Sequence, residues 1–378
     1  MLSQALRALL FLPAALRIAC AQSTATTACN NSPSLCSRAY NNITHLGAHD
    51  SPFVRDAADD YDVSGNQYYN STVQLSAGVR LLSAQVQMTN STSSGQLHVC
   101  HTSCDLFDAG KLSEWLAEVN TWLVANPNEV VTVLLVNGAD ASAQDLAAEY
   151  DEAGISEIAY TPTSTAASSA STTSSYAVST ASTSATTTDW PTLQSMISNG
   201  TRLVNFVADL SNNTAATYLL NEFSYIFENS YENTAPTDYS CVANRPSSVA
   251  NNTQQALDDG LMPLMNHFLY EQEAFDIQAP NDTYISTTNS ASGGVGSLGT
   301  SADECTSTYG KAPTFILVDF FNVGPAIETV DRLNGVSDAV GRTNVSTSVQ
   351  SATSGAGAAG IQATMLCLTL LAVMLVVV

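Results

Sequence analysis

Asn126-Pro127-Asn128-Glu129-Val130-Val131-Thr132-Val133-Leu134-Leu135-Val136-Asn137 is the stretch that decides the fold class. The Asn-Pro pair stops whatever helix precedes it, because a residue before proline is pushed out of the helical region. Val130 to Val136 then runs apolar and β-branched without alternation, as a strand buried on both faces does. Immediately upstream, Leu112 to Val124 puts Trp115, Val119 and Trp122 on one face of an amphipathic helix. The same alternation continues outward. Ile43–Ala48, Val79–Val86, Leu203–Val207, Tyr225–Phe227 and Phe315–Val318 read as strands, and Leu261–Tyr270 and Pro325–Leu333 read as helices. Strand and helix in turn predict an α/β fold with a parallel sheet covered by helices, either closed into a barrel or open. No internal repeat is visible.

The chain has 34 Asp or Glu against 11 Lys or Arg, a formal net charge of -23 in 378 residues. Only 12% of residues are charged and 45% are hydrophobic, which excludes a disordered chain. So acidic a protein is not a nucleic-acid partner, since phosphate backbones are held by clustered Lys and Arg.

Both ends carry processing signals. Residues 1–21 read as a secretory signal: Arg7, then apolar Ala8 to Leu16, then Ala19-Cys20-Ala21 before Gln22. Residues 361–378 are apolar and uncharged, and 336–360 form a linker that ends in the small-residue run Ser351 to Gly360. That combination predicts a GPI attachment site between Ser351 and Gly355, with the tail removed. The rival reading is a retained membrane span, about 27 Å long at ~1.5 Å per residue. Between the two ends, 22–335 reads as one domain, interrupted at 161–188 by a Ser, Thr and Ala tract that cannot bury a core face. The expected location is the outer surface of the cell, with membrane attachment through the C-terminal lipid.

Six cysteines remain after trimming: Cys29, Cys36, Cys100, Cys104, Cys241 and Cys305. Behind a secretion signal an even count means disulfides; proximity favours 29–36 and 100–104, leaving 241–305, among 15 arithmetical pairings. The CxxxC of Cys100 and Cys104 has no second pair with zinc-site spacing, so no metal is expected. Nine N-x-S/T sequons, at Asn30, Asn42, Asn70, Asn90, Asn199, Asn212, Asn251, Asn281 and Asn344, predict a glycosylated surface.

Two of the five histidines stand where strands end. His49 follows Asn42-Ile43-Thr44-His45-Leu46-Gly47-Ala48, and His101 follows Leu97-His98-Val99-Cys100. Polar groups at C-terminal strand ends are the usual seat of chemistry in α/β folds. His98 and His267 read as structural, and Ser51 lacks the strand–turn–helix context of a hydrolase nucleophile.

At these residues the sequence resembles a family. Leu46-Gly47-Ala48-His49-Asp50-Ser51, Gly78-Val79-Arg80-Leu81-Leu82, Leu97 to His101, Asn126-Pro127-Asn128-Glu129 and Phe315 to Asn322 resemble the X domain of phosphatidylinositol-specific phospholipase C. The nearest likeness is to the bacterial and fungal PLC-like phosphodiesterases, from about Asn42 to Asn334. The resemblance implies a distorted TIM barrel and cleavage of a phospholipid or glycolipid phosphodiester by two histidines, without a cofactor. It makes His49 the general base, His101 the general acid, Asp319 the group that orients His49, and Asp50 the helper of His101. It places Gln85, Asn137 and Glu228 where substrate is bound.

One departure stands out. Bacterial relatives carry Asp-x-Arg on the second strand and calcium-dependent ones carry acidic ligands, whereas this chain has Ser83-Ala84-Gln85. By alternation Arg80 points to the other face, which leaves Arg55 and Lys111 as candidate cations from loops. The expectation is a metal-independent phosphodiesterase of low turnover. The alternative is a catalytically impaired, GPI-anchored surface glycoprotein on the same barrel.

Overall fold

A computed structural model describes residues 27–57, 62–89, 95–162, 190–272 and 278–350. The signal at 1–21, nearly all of the 161–188 tract, Asn90 and the tail from 351 onward lie outside them.

Among the described residues twelve strands are present: β1 His45–Ala48, β2 Leu81–Met88, β3 Leu97–Cys100, β4 Asp108–Lys111, β5 Val131–Asn137, β6 Leu203–Ala208, β7 Leu219–Asn221, β8 Ile226–Glu228, β9 Met262–Asn266, β10 Tyr270–Gln272, β11 Gln278–Pro280 and β12 Phe315–Val318. The helices are α1 Ser71–Ala77, α2 Leu112–Ala125, α3 Ala143–Glu152, α4 Leu193–Asn199, α5 Thr253–Asp258, α6 Ile285–Thr288, α7 Leu298–Tyr309 and α8 Ala326–Asn334. Eight strands run parallel in the order β7-β6-β5-β2-β1-β12-β9-β8. The two edge strands, β7 and β8, are successive in the chain and joined by a single 3-10 turn, Glu222–Ser224, but they are not paired with each other. The architecture is therefore a distorted TIM barrel left open at one seam. The antiparallel pair β3–β4 extends the far end of β2.

Side-chain alternation divides the core into two layers. Leu81, Leu134, Phe206, Leu264, Phe315 and Leu317 fill the lumen, whereas Leu82, Val133, Leu135, Val207, Ile316 and Val318 pack outward with α2's Leu116, Val119 and Leu123. Gly47 is required inside: a Cβ there would lie 2.6 Å from Leu317 Cδ2 and 2.8 Å from Leu81 Cδ2. At the N-terminal end the lumen is closed by Tyr40, stacked on Trp190 and hydrogen-bonded to Thr132 Oγ1 at 2.6 Å. The Ser/Thr tract leaves after Tyr160 and the described chain resumes at Trp190, and these two rings are 5.4 Å apart. The described residues that flank the tract thus meet at the closed end, away from the strand ends that carry His49 and Asp319.

Two expectations need correction. Leu261–Tyr270 is not a helix but strand β9 followed by β10. A parallel strand buried on both faces is as evenly apolar as a helix interior, and the helix-forming Leu and Met residues concealed it; Pro263, unfit for a mid-helix position, was the better signal. The domain also does not end at 335. Val340 N donates to Asn31 O, Thr343 N to Ser76 O, and Arg342 pairs with Asp331, so the chain to about Ser348 wraps back onto the barrel.

The disulfides join Cys29 to Cys36, Cys100 to Cys104 and Cys241 to Cys305. The last ties the loop after β8 to α7.

Candidate active site

The lumenal positions at the C-terminal strand ends converge on one cluster. β1 delivers His49, whose backbone N–H extends the ladder to Val318 O at 2.9 Å. β12 delivers Asp319, whose Oδ1 lies 2.9 Å from His49 Nδ1. The chain then turns sharply, with Asp50 at φ 47° and Phe320 at φ 43°, both left-handed. Asp50 is held down by its N–H, which donates to Ser83 Oγ at 2.9 Å. From β3 the chain brings His101 over the same point, inside the small loop closed by Cys100–Cys104.

Asp50 Oδ2 is the common centre. It lies 3.6 Å from His49 Nε2 and 3.5 Å from His101 Nε2, so the two nitrogens are at most about 7 Å apart. All four groups are buried. Phe268 stacks flat on the His49 ring at 3.6 Å, and Phe53 meets the His101 ring edge-on at 5.2 Å. These rings leave the Nε2 edges facing Asp50.

The two imidazoles are tuned in opposite directions. Burial alone would lower the His49 pKa, but Asp50 and the hydrogen-bonded Asp319 outweigh it and hold it above the ordinary value. At His101 burial prevails over the pull of Asp50, and the pKa falls below the ordinary value. His101 Nδ1 is buried without a hydrogen-bond partner, so no acceptor there adds to the pull of the carboxylates.

Sequence reasoning located the four central groups and missed their supports. Asn66 Nδ2 donates to Asp319 Oδ1 at 3.0 Å, and Gln67 Nε2 donates to His49 O at 2.8 Å and Val318 O at 3.0 Å. Both are fully buried in the loop after β1. No motif marks them; only a polar pair with no reason to be buried could have.

The secondary candidates separate. Gln85 is not open to a ligand: its Nε2 donates to Asp50 Oδ2 at 2.7 Å and its Oε1 accepts from Thr102 N at 2.8 Å. Asn137 does not belong to the lumen. It shares the parity of the outward-packed Val131, Val133 and Leu135, and its amide closes a turn with Ala141, donating to O at 3.0 Å and accepting from N at 2.9 Å. Glu228 does face the lumen, paired with Arg245, whose Nε donates to Oε2 at 2.8 Å while the guanidinium lies over Tyr231 at 4.3 Å. Beside it the carboxyl of Glu222 is pushed well up, by burial and then by Glu228.

The two arginines go elsewhere, and Lys111 ends β4 opposite His98. Arg80 is buried at the closed end on Glu129, and Arg55 pairs with Asp282 at 2.7 Å beneath Phe320. Among the described residues no guanidinium or ammonium hydrogen-bonds to His49, Asp50, His101 or Asp319; the side chains that do are Asn66 and Gln85, with Ser83, Gln67 and Asn289 on the backbone. His98, Cys100 and Asp108 bring potential metal ligands within 4.8 Å, but the Cys100 sulfur is in a disulfide and His98 Nδ1 is bonded to Asp108 at 2.8 Å. His267 is a core residue, stacked on Tyr239 and bonded to Thr288 O.

The family model described as PI-PLC X 1 matches residues 35–175 and again 164–334. PI-PLC X domain-containing protein 1 of Arthroderma benhamiae is 34% identical over 313 residues, covering 82% of this chain and 90% of that protein. A second protein of the same organism, described as an uncharacterized secreted protein, is 32% identical over 325 residues, covering 84% of this chain and 66% of its own length. Among solved structures, the phosphatidylinositol-specific phospholipase C of Listeria monocytogenes aligns with TM-score 0.47 at 14% identity, covering 80% of this chain and 95% of that one. A Staphylococcus aureus phosphatidylinositol-specific phospholipase C gives TM-score 0.48 at 15% identity, covering 81% and 97%.

Proposed function

This chain belongs to the PI-PLC X domain family, and from that premise we propose that it cleaves the phosphodiester of a phosphatidylinositol-type phospholipid or glycolipid at the His49–Asp50–His101–Asp319 cluster. The observation that carries the proposal is the convergence of both Nε2 atoms on one carboxylate oxygen, at a separation of at most about 7 Å that a phosphate ester fills.

In this reading His49 takes the proton from the head-group hydroxyl next to the phosphate, and that oxygen attacks phosphorus. His101 gives a proton to the departing lipid alcohol, which leaves a cyclic phosphate. Asp319, fixed by Asn66, keeps the His49 ring in place and stabilises its imidazolium. Among the described residues none supplies the strand cation of bacterial relatives, and such a clamp is worth roughly 10²–10³ in rate. The protonation preferences also run against the roles. A base raised above its ordinary pKa and an acid lowered below its own favour protonated His49 and neutral His101, the reverse of the forms from which these roles start. Low turnover follows from both.

The decisive experiment is incubation with labelled phosphatidylinositol vesicles, with and without chelator. Release of a cyclic inositol phosphate, unaffected by chelator and lost in His49→Ala, is the expected result. If neither phosphatidylinositol nor a glycosylated form is cleaved, the alternative holds: a barrel that binds without turnover, which the missing cation favours.

Extracellular placement is part of the same proposal. The three disulfides and the relative described as secreted support it, as do the exposed sequons at Asn42, Asn70, Asn199, Asn212, Asn251 and Asn344. Asn30 is the exception: it is buried and its Oδ1 accepts from Val130 N at 2.7 Å, so it is not a glycan site in the folded protein. A lipid anchor would be seen as membrane retention that disappears when residues 351–378 are deleted.

A further inference from the structure

Each histidine of the cluster is followed by a residue in the left-handed region, Asp50 at φ 47° after His49 and Thr102 at φ 60° after His101. Asp tolerates that conformation, because its short side chain bonds locally. Thr does not: a β-branched residue there is strained by about 1–3 kcal/mol and stays only where its surroundings hold it. One side chain bonds to both residues. Gln85 Nε2 donates to Asp50 Oδ2 at 2.7 Å, and Gln85 Oε1 accepts from the Thr102 backbone N–H at 2.8 Å.

We infer that Gln85 is a positioning residue, a brace between the β1 and β3 loops that sets Asp50 and His101 in register. It occupies the second-strand site where bacterial relatives carry the arginine, yet it acts on the protein rather than on the ligand. Both ends of its amide are engaged with the protein, one N–H and the carbonyl oxygen, which leaves at most the second N–H of a neutral group toward a phosphate. Asp50 Oδ2, the atom it holds, is the one both Nε2 atoms face. The Cys100–Cys104 link closes the His101 loop on itself but does not tie it to β1. Gln85 makes that connection across the mouth of the lumen.

The inference rests on the phosphodiesterase reading for its functional consequence but not for its physical content, so two kinds of measurement separate them. Gln85→Met keeps the side-chain length and removes both bonds. Gln85→Glu keeps an acceptor for Thr102 and removes the donor to Asp50. Amide exchange of Thr102, followed by NMR, is expected to quicken at least about tenfold in Gln85→Met and to remain protected in Gln85→Glu. The charged groups facing the two rings are Asp50, Asp319, Glu228 and Asp62, together with the rings themselves. A further carboxylate at 85 is therefore expected to move both imidazole titrations upward. On phosphatidylinositol vesicles, Gln85→Met is expected to lower kcat by roughly 10–100-fold with KM within about threefold, as a misplacement of reacting groups does.

Thr102 exchange unchanged in Gln85→Met overturns the inference, whether or not the protein cleaves lipid. A raised KM at constant kcat also overturns it, by making Gln85 a substrate ligand. If the unmutated protein cleaves nothing while Thr102 exchange and the histidine titrations respond as described, the brace stands and the functional reading alone fails.

Discussion

Strand β1 carries a buried histidine at its start and another just past its end, both facing the lumen, and the two are pushed in opposite directions. His45 lies on the closed side between Tyr40 and Phe315, with one bond of 3.0 Å between its Nε2 and Tyr40 O. Burial drives its pKa down to about 4, against the small pull of that carbonyl. His49 is also buried, yet two carboxylates hold its pKa above the ordinary value. Burial alone neutralises an imidazole and turns it into packing. Burial beside fixed carboxylates makes it a proton acceptor that is stable once charged.

The largest effect should come from exchanging these environments. His49→Ala is expected to cut phosphodiester cleavage by roughly 10²–10⁴, the worth of a proton-transfer role. Asp319→Asn should cost roughly 10²–10³, because it removes the charge that stabilises the His49 imidazolium, and it should bring the His49 titration down in NMR. His45→Phe, which keeps the ring and removes the titratable nitrogens, should leave kcat within about threefold. A large loss in His45→Phe, or none in His49→Ala, would erase the distinction between the two ends of the strand.

Acid stability sharpens the same contrast. His45 and His267 both have folded pKa values near 4, below the 6.5 of an exposed imidazole. The unfolded chain therefore takes up these protons first, and stability falls as pH drops below 6.5 until it levels off below about 4. Each group contributes on the order of 3 kcal/mol to that loss. His49 has the opposite sign: its contribution is complete below 6.5 and is lost as pH rises through its raised folded value. Urea unfolding at pH 7 and pH 4.5 should show His45→Phe gaining on the wild type at the lower pH. Parallel curves would mean that His45 titrates normally.

How much of this was legible in the sequence follows from which interactions are local. The period-2 and continuous apolar patterns of β1, β2, β5 and β12 are strong, and with them the parallel sheet could be read. Gly47 and Pro52 marked the end where His49 lies, and the Cys100–Cys104 spacing marked the loop of His101. β9 was misread because an evenly buried strand has no period, and β4, Asp-Ala-Gly-Lys, was invisible because its pairing with β3 owes nothing to apolar alternation. The supports of the site were illegible for a different reason. Asn66 reaches Asp319 across 253 residues of chain, and Gln85 meets Thr102 across 17 through a left-handed turn. Neither contact leaves a local pattern. Gln85 could be seen only as a departure from the family, so its identity was legible and its role was not.

The smallest predicted effect tests the alternation that separates lumen from outer face at the mouth of the barrel. Val136 and Asn137 are adjacent at the end of β5, with Val136 sharing the parity of lumenal Thr132 and Leu134 and Asn137 that of outward Val133 and Leu135. Asn137→Ala removes two hydrogen bonds of a partly exposed turn, so it should cost about 1–2 kcal/mol in urea unfolding and leave kcat and KM unaltered. A bulky group on the lumenal side should do the reverse: Val136→Trp would crowd the approach to the histidines, raising KM severalfold with little change in stability, because Val136 is 40% exposed and free of the core. If Asn137→Ala instead raises KM, its side chain reaches substrate and the alternation deduced for β5 is broken at its last residue.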